Sequence, residues 1–431
     1  MGWWKKKKSR AVVKEQTWDR DQWRGEKILE ALIQCCDGKP NPIKFFTADQ
    51  ILKATQKHFC KCNILERRQN ICECSRVSEL YFHGKWYSGT LDDHRMILLR
   101  KMKGRSPHPP RDICTGPPKD VAISSMVSGH KNFMKLVGCC FEFEYPVIVY
   151  YGGERQYSPV DLNKIVSWRR RMKIAEEVAT ALAYLHVAFP RPFVYRNMGL
   201  KNILLDKNGV AKLNDLSYCV SIPKGETHVK LTWAGKDYDY MDDDYIFSRV
   251  VSEKTDVFGF GVFMQKLLTG EENFEELCGW KNWREKNKFP KWLSTYMGEG
   301  RMNEIVDPKM SVVLEEKERC LMEAFLVLSE RCIGLRGEVP KMVEVAKELR
   351  ASAMLETFFA HKQTLKHYTL LLKHSKYHII HCYLNITTKP IATRRTNTKP
   401  TTMSNLLFNL EFLLPSSETI NSNLATFCSV S

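Results

Sequence analysis

No stretch of this chain approaches the ~18 consecutive apolar residues of a membrane span. The apolar run at 257–264 is broken by Gly259 and Gly261. Nor does an apolar core follow the opening Met1-Gly2-Trp3-Trp4 and its four lysines, Lys5 to Lys8, so no secretory leader is expected. Glycine and proline are scarce, 23 and 18 among 431 residues, which excludes collagen-like and low-complexity chains. There is no disulfide framework to read either. Fifteen cysteines, an odd number without a secretory context, point to free thiols in a reducing compartment. The densest group, His58, Cys60, Cys62, Cys72 and Cys74, lacks the C-x-x-C spacing of a zinc knuckle. Residues two apart on a strand merely share a face, so no metal is assigned there.

What is present suffices for a packed core. Hydrophobic residues make up 43% and charged residues 27%, which excludes a wholly disordered chain. Lys and Arg number 66 against 49 Asp and Glu, a net charge of +17. Part of that excess sits at the ends: residues 351–431 hold eight Lys or Arg and three Glu, and the first ten hold four Lys and an Arg. With no groove-reading motif, no nucleic-acid partner is expected. The basic start can instead meet an anionic membrane surface, at ~1 kcal/mol per basic residue. Gly2 invites acylation, but Lys6 stands where the myristoylation pattern has Ser or Thr. The expected location is the cytoplasm, with peripheral attachment at the inner face of the plasma membrane.

The chain divides into a basic extension over 1–45, with a helix near 21–35, a central domain over 46–350, and a Thr-, Asn- and Ser-rich tail over 351–431 without periodicity. Within the centre, residues 46–150 read as a strand-rich lobe and 151–350 as a helical one. The run Met96-Ile97-Leu98-Leu99 predicts a buried strand. Ala175, Val178, Ala179, Leu182 and Leu185 predict one face of a helix. A second helix is predicted over 253–268, with Ser252 as N-cap and Gly270 as stop, and a third over 341–350. The fold class expected is α+β, with two lobes.

Three segments carry chemistry. The first runs from Val194 through Tyr195-Arg196-Asn197 to Asn202 and Asp206. Asp215 follows thirteen residues after Asn202, in Lys212-Leu213-Asn214-Asp215-Leu216-Ser217. Then comes Ser252-Glu253-Lys254-Thr255-Asp256, running on to Leu267-Leu268-Thr269-Gly270. Order and spacing resemble the catalytic loop, metal-binding loop and central large-lobe helix of protein kinases. Upstream, His130-Lys131-Asn132 and Gly138-Cys139-Cys140 resemble the strand after the small-lobe helix, helix C, of plant receptor-like kinases. Kinase chemistry is mostly positioning and charge neutralisation, and the residues that supply both are altered. Lys85-Trp86-Tyr87-Ser88-Gly89 places Glu79, Tyr81 and Gly84 where three glycines belong, and only Gly84 survives. Arg100 stands for the third-strand lysine, with Asp120 as its candidate acidic partner. Asn197 replaces the catalytic aspartate and Tyr195 the histidine before it. A carboxamide cannot take the hydroxyl proton, a step worth roughly 10²–10⁴ in rate. Asn197 is expected to close its own turn. Asn202 and Asp215 remain as vestigial nucleotide and Mg²⁺ ligands, with Gly84 and Arg100 beside them, so ATP and Mg²⁺ binding is expected to be weak and not required. Asp243 and Asp244 stand for the proline and glutamate that close the activation segment, and Val339 for the arginine that pairs with that glutamate.

Met1-Gly2-Trp3-Trp4 with its lysines, Ser217-Tyr218-Cys219-Val220-Ser221-Ile222-Pro223 and Gly138-Cys139-Cys140 are similar to one plant group, the ZED-related (ZRK) pseudokinases of the receptor-like cytoplasmic kinase branch. That resemblance implies a catalytically inactive adaptor in innate immunity. Its partners would be the leucine-rich repeats of a coiled-coil NLR receptor and receptor-like cytoplasmic kinases targeted by pathogen effectors. The alternative is a weakly active ATP-dependent serine/threonine kinase of the receptor-like class. Independently of the resemblance, Asp237, Tyr238, Tyr240, Asp242, Asp243, Asp244 and Tyr245 interleave acid with aromatic residues, and they are the candidate interface for a basic partner.

Overall fold

The computed structural model describes residues 25–33, 43–55, 85–101, 116–143, 146–152, 157–232, 240–270, 298–310, 316–335 and 337–360, with isolated positions in 293–296. In chain order these begin with helix α1 (25–33), strand β1 (Lys44–Phe45), helix α2 (Ala48–Ala54), and strands β2 (Lys85–Thr90) and β3 (Met96–Lys101). Helix α3 (Gly116–Val127) and strands β4 (Leu136–Cys140) and β5 (Val147–Tyr151) complete the small lobe. Its sheet has the order β1-β4-β5-β3-β2. β1 lies parallel to β4, and Lys44 pairs with Gly138. A Cβ at Gly138 would fall 1.9 Å from the Lys44 carbonyl oxygen, so this pairing admits only glycine.

The large lobe opens with β6 (Ser158–Pro159) and α4 (Trp168–Val187). Short strands follow: β7 (Phe193–Val194), β8 (Ile203–Leu205), β9 (Ala211–Leu213), β10 (Val220–Ser221) and β11 (Val229–Lys230). Then come α5 (Asp243–Ser248), β12 (Val250–Val251), α6 (Glu253–Thr269), α7 (Met302–Ile305), α8 (Glu316–Cys332) and α9 (Met342–Ala360). The five residues predicted as the face of α4 are all buried, and α4 packs against α6 and α9. At the start of α6 the Thr255 hydroxyl accepts from the Ser252 N–H, and Gly270 ends the helix at φ 82°. Two predicted boundaries move. α9 continues ten residues past 350, with Ser352 buried on it, because its apolar period does not stop there. α1, placed in the extension, buries Ile28 in the same apolar cluster as Trp86, Leu98 and Ile148. The Cys60–Cys74 group and residues 361–431 lie outside the described residues. The five described cysteines, Cys139, Cys140, Cys219, Cys320 and Cys332, are buried free thiols. Among the described residues no helix is long and apolar enough to cross a membrane, and no group of acidic, His or Cys side chains could hold a metal.

His130 ties α3 to α4. Its ring stacks on Tyr184 at 4.4 Å between centroids, and Nδ1 accepts the Asn132 N–H at 3.2 Å. Burial, reinforced by Lys131 and Lys212, pulls its pKa down to about 4. The folded imidazole therefore stays neutral where the unfolded one takes a proton, so stability falls as pH drops from about 6.5 to about 4. Urea midpoints across that window should show the wild type losing about 2–3 kcal/mol more than His130→Phe. Parallel pH dependences in the two proteins would refute this role.

Candidate functional site

α6 delivers Asp256 beneath the loop that follows β7. Oδ2 accepts the Tyr195 N–H at 2.7 Å and lies 2.9 Å from His186 Nε2, while Oδ1 accepts the Arg196 N–H at 2.9 Å. One carboxylate thus satisfies two consecutive backbone donors that the turn leaves without a strand partner. It holds Arg196 at φ 59°, a conformation that costs a non-glycine residue ~1–3 kcal/mol. The Arg196 guanidinium turns to the Tyr245 hydroxyl, at 2.9 and 2.7 Å, and to the Tyr218 carbonyl at 3.0 Å. Tyr195 is fully buried and donates its hydroxyl to the Asn214 carbonyl.

The loop then presents Asn197 and Asn202 to Asp215. Asn197 Nδ2 donates to the Asp215 carbonyl at 2.9 Å, and Asn202 Nδ2 donates to the Asn197 carbonyl at 2.7 Å. The expectation that Asn197 closes its own turn is therefore corrected. Its amide bridges to a loop eighteen residues downstream, because Asp215, at φ 58°, turns its carbonyl toward it. No carboxylate stands at this position to accept a proton. Asn202 Oδ1 is buried without a hydrogen-bond partner.

Arg100 dominates the centre. It is completely buried on β3, and its Nη2 meets Asp120 Oδ2 of α3 at 2.7 Å and Asp215 Oδ1 at 3.0 Å. Its Nη1 donates to Asn214 Oδ1 at 3.2 Å. Asp120 Oδ1 takes the Ser124 hydroxyl and the Leu216 N–H, and Ser217 donates its hydroxyl to Asp215. Burial alone would lower the Arg100 pKa, but Asp215 and Asp120 outweigh it and keep the guanidinium charged. Burial, reinforced by Asp215, raises the Asp120 carboxyl against the pull of Arg100. Relative to the family's lysine and glutamate, the arginine reaches one bond farther and the aspartate one bond less. The pair spans the same gap. The Arg100 guanidinium lies on Asp215 Oδ1, one of the oxygens that would ligate a divalent cation, and its charge opposes a cation there.

Within the acidic and aromatic segment proposed as an interface, the structure corrects the roles of Tyr240, Asp242 and Tyr245. Tyr240 and Tyr245 are buried, at 8% and 2% exposure. Tyr245 receives Arg196, and Lys266 lies over the Tyr240 ring at 4.9 Å. Asp242 caps α5, accepting the Tyr245 N–H at 2.7 Å, and Asp243 and Asp244 open that helix. The alternation of acid and aromatic thus serves a cap and a core contact. Asp237, Tyr238, Glu79, Tyr81 and Gly84 lie outside the described residues. Two features escaped the sequence reading. One is the Arg196–Tyr245 contact, signalled only by a phenol following the Asp242–Asp244 run. The other is Trp86, which faces Arg100 across the β2–β3 pair.

The protein-family description "Protein kinase domain" matches residues 112–354. Three relatives from Arabidopsis thaliana align over most of the chain. "Non-functional pseudokinase ZRK15" is 52% identical, covering 81% of this chain and 96% of its own length. "Inactive serine/threonine-protein kinase ZRK12" is 49% identical, covering 81% and 82%. "Non-functional pseudokinase ZED1" is 34% identical, covering 78% and 96%.

The buried triad generates a stability prediction. Arg100→Ala leaves two carboxylates facing each other without a counter-charge and should cost about 3–5 kcal/mol in urea unfolding. Arg100→Lys and Asp120→Glu should each be destabilising alone. The double exchange should recover most of the loss, because it restores the combined reach. Additive losses in that cycle would show that the two side chains are not matched in length.

Proposed function

Because the chain belongs to the protein kinase family and, within it, to the ZED-related (ZRK) pseudokinases, and is no enzyme, we propose that it is an adaptor in plant innate immunity. It links the leucine-rich repeats of a coiled-coil NLR receptor to receptor-like cytoplasmic kinases that pathogen effectors modify. The observation that carries this reading is on α1. Ile28 and Ala31 are buried in the small lobe, while Leu29 and Ile33 stand 58% and 55% exposed. Four residues apart, they form one outward apolar stripe on a helix whose other side is fastened into the core. Such an exposed apolar pair offers area that a partner can remove from water, and concave repeat arrays present extended surfaces to receive it.

The site supports a binding role rather than a reacting one. Arg100, Asn197 and Asp215 spend their polar groups on one another, on Asp120, Asn214 and Ser217, and on backbone. In this reading no cofactor is required, and no nucleic acid is bound. The protein works in the cytoplasm, and Lys5 to Lys8 hold it peripherally to the inner face of the plasma membrane.

Two measurements test the proposal. Leu29→Glu with Ile33→Glu should abolish co-precipitation of a co-expressed coiled-coil NLR receptor while leaving the melting temperature within about two degrees of wild type. Undiminished capture would overturn the assignment of α1. Asn197→Asp should leave phosphoryl transfer at background, because a base alone does not displace Arg100. An ordinary turnover, in either protein, would overturn the adaptor reading as a whole.

A further inference from the structure

β2, β3 and β8 bring three large apolar side chains to the place between the lobes where a nucleotide base would enter. Arg100 holds the position of the lysine that meets the α- and β-phosphates in the kinase family. Leu98, two residues earlier on β3, lies on the same face of the strand. Trp86 of β2 pairs directly with Arg100 in the sheet register, and the Arg100 guanidinium carbon lies 5.9 Å from the centre of its ring. Leu204 comes from β8 of the large lobe, two residues after Asn202. Trp86, Leu98 and Leu204 belong to one continuous buried cluster, exposed by 4%, 6% and 2%. Tyr150 closes its inner side, 5.9 Å from Trp86 between ring centroids. A base extending from phosphates at Arg100 would have to run between Trp86 and Leu98 on the sheet side and Leu204 on the large-lobe side, through space these side chains fill.

We propose that the chain plugs its own nucleotide cleft: Trp86, Leu98 and Leu204 stand in for the base, Arg100 stands in for the metal, and the lobes stay closed with no nucleotide bound. The two halves of the plug reinforce each other. The apolar half covers the ion triad and excludes water, which strengthens Arg100 on Asp120 and Asp215. The triad in turn ties β3 and α3 of the small lobe to Asp215 and Leu216 of the large lobe. What a kinase obtains transiently from its substrate, this chain carries as side chains. The receptor-binding surface would then keep one geometry at any cellular nucleotide level.

The inference rests on the pseudokinase assignment, and its test is separate from receptor capture. Full-length wild type titrated with the fluorescent analogue mant-ADP, without Mg²⁺, should show no saturable signal up to millimolar concentration. Trp86→Val combined with Leu98→Ala removes the bulk while keeping an apolar lining, and should bind mant-ADP at least about tenfold more tightly than wild type. Should that pair fail to fold, Leu98→Ala alone replaces it with the same expectation. Hydrogen exchange on wild type gives an independent reading: amides of 85–101 should be strongly protected, and millimolar ADP should not change them. Saturable binding by wild type, no gain in a folded trimmed variant, or rapid exchange that ADP slows would each overturn the plug. None of these would touch the role of Leu29 and Ile33.

Discussion

A guanidinium out of contact with water is stable only where carboxylates and acceptors surround it, and Arg100 meets that condition by drawing three side chains from two separate elements. Asp120 comes from the helix of the small lobe; Asn214 and Asp215 come from the loop of the large one. The cluster therefore settles more than its own charge balance. It sets how α3 approaches β3, how the segment after β9 turns, and how the two lobes meet. Removing the central charge would leave two buried anions in one place, which is the costliest arrangement available at this site.

The persistence of the kinase scaffold without kinase chemistry has a physical basis in Asp256. Its carboxylate answers backbone donors and a histidine, none of which takes part in moving a phosphoryl group. A loop of this shape needs that acceptor whether position 197 carries an acid or an amide. The requirement is one of hydrogen bonding inside a core, so it survives the loss of catalysis. Catalytic side chains answer to a substrate, and they are free to change once no substrate is turned over. Asn197 illustrates the exchange: the amide that cannot accept a proton can donate a hydrogen bond to the Asp215 carbonyl, which an ionised aspartate could not do.

Much of this was legible in the residues themselves. The spacing from Tyr195 through Asn202 to Asp215 and Asp256 announces the loops and the helix beneath them, because spacing reflects chain geometry. The apolar period of α4 names its buried face, and the loss of the base at 197 follows from functional-group chemistry alone. The rest depended on distance in space rather than in sequence. Asp242 next to Tyr245 reads as a surface motif until the fold turns the phenol inward onto Arg196. α1 carries Glu26, Lys27 and Glu30 on one side and a broad apolar arc on the other, and only its docking against β-strands more than fifty residues away decides that, within this arc, Ile28 goes in and Leu29 stays out. The partner of Arg100 could be guessed from its place in the kinase pattern, but its grip on Asp215 required both lobes in place.

The matched lengths of Arg100 and Asp120 also bear on descent. A lineage returning to lysine and glutamate must pass through one residue changed without the other. Either intermediate leaves a gap or a clash inside a sealed interior, while Trp86 and Leu98 still occupy the cleft. Natural selection acting one substitution at a time meets a valley at each exit. Retirement from phosphotransfer is thereby made permanent by stereochemistry, long after the original reason for it has ceased to matter.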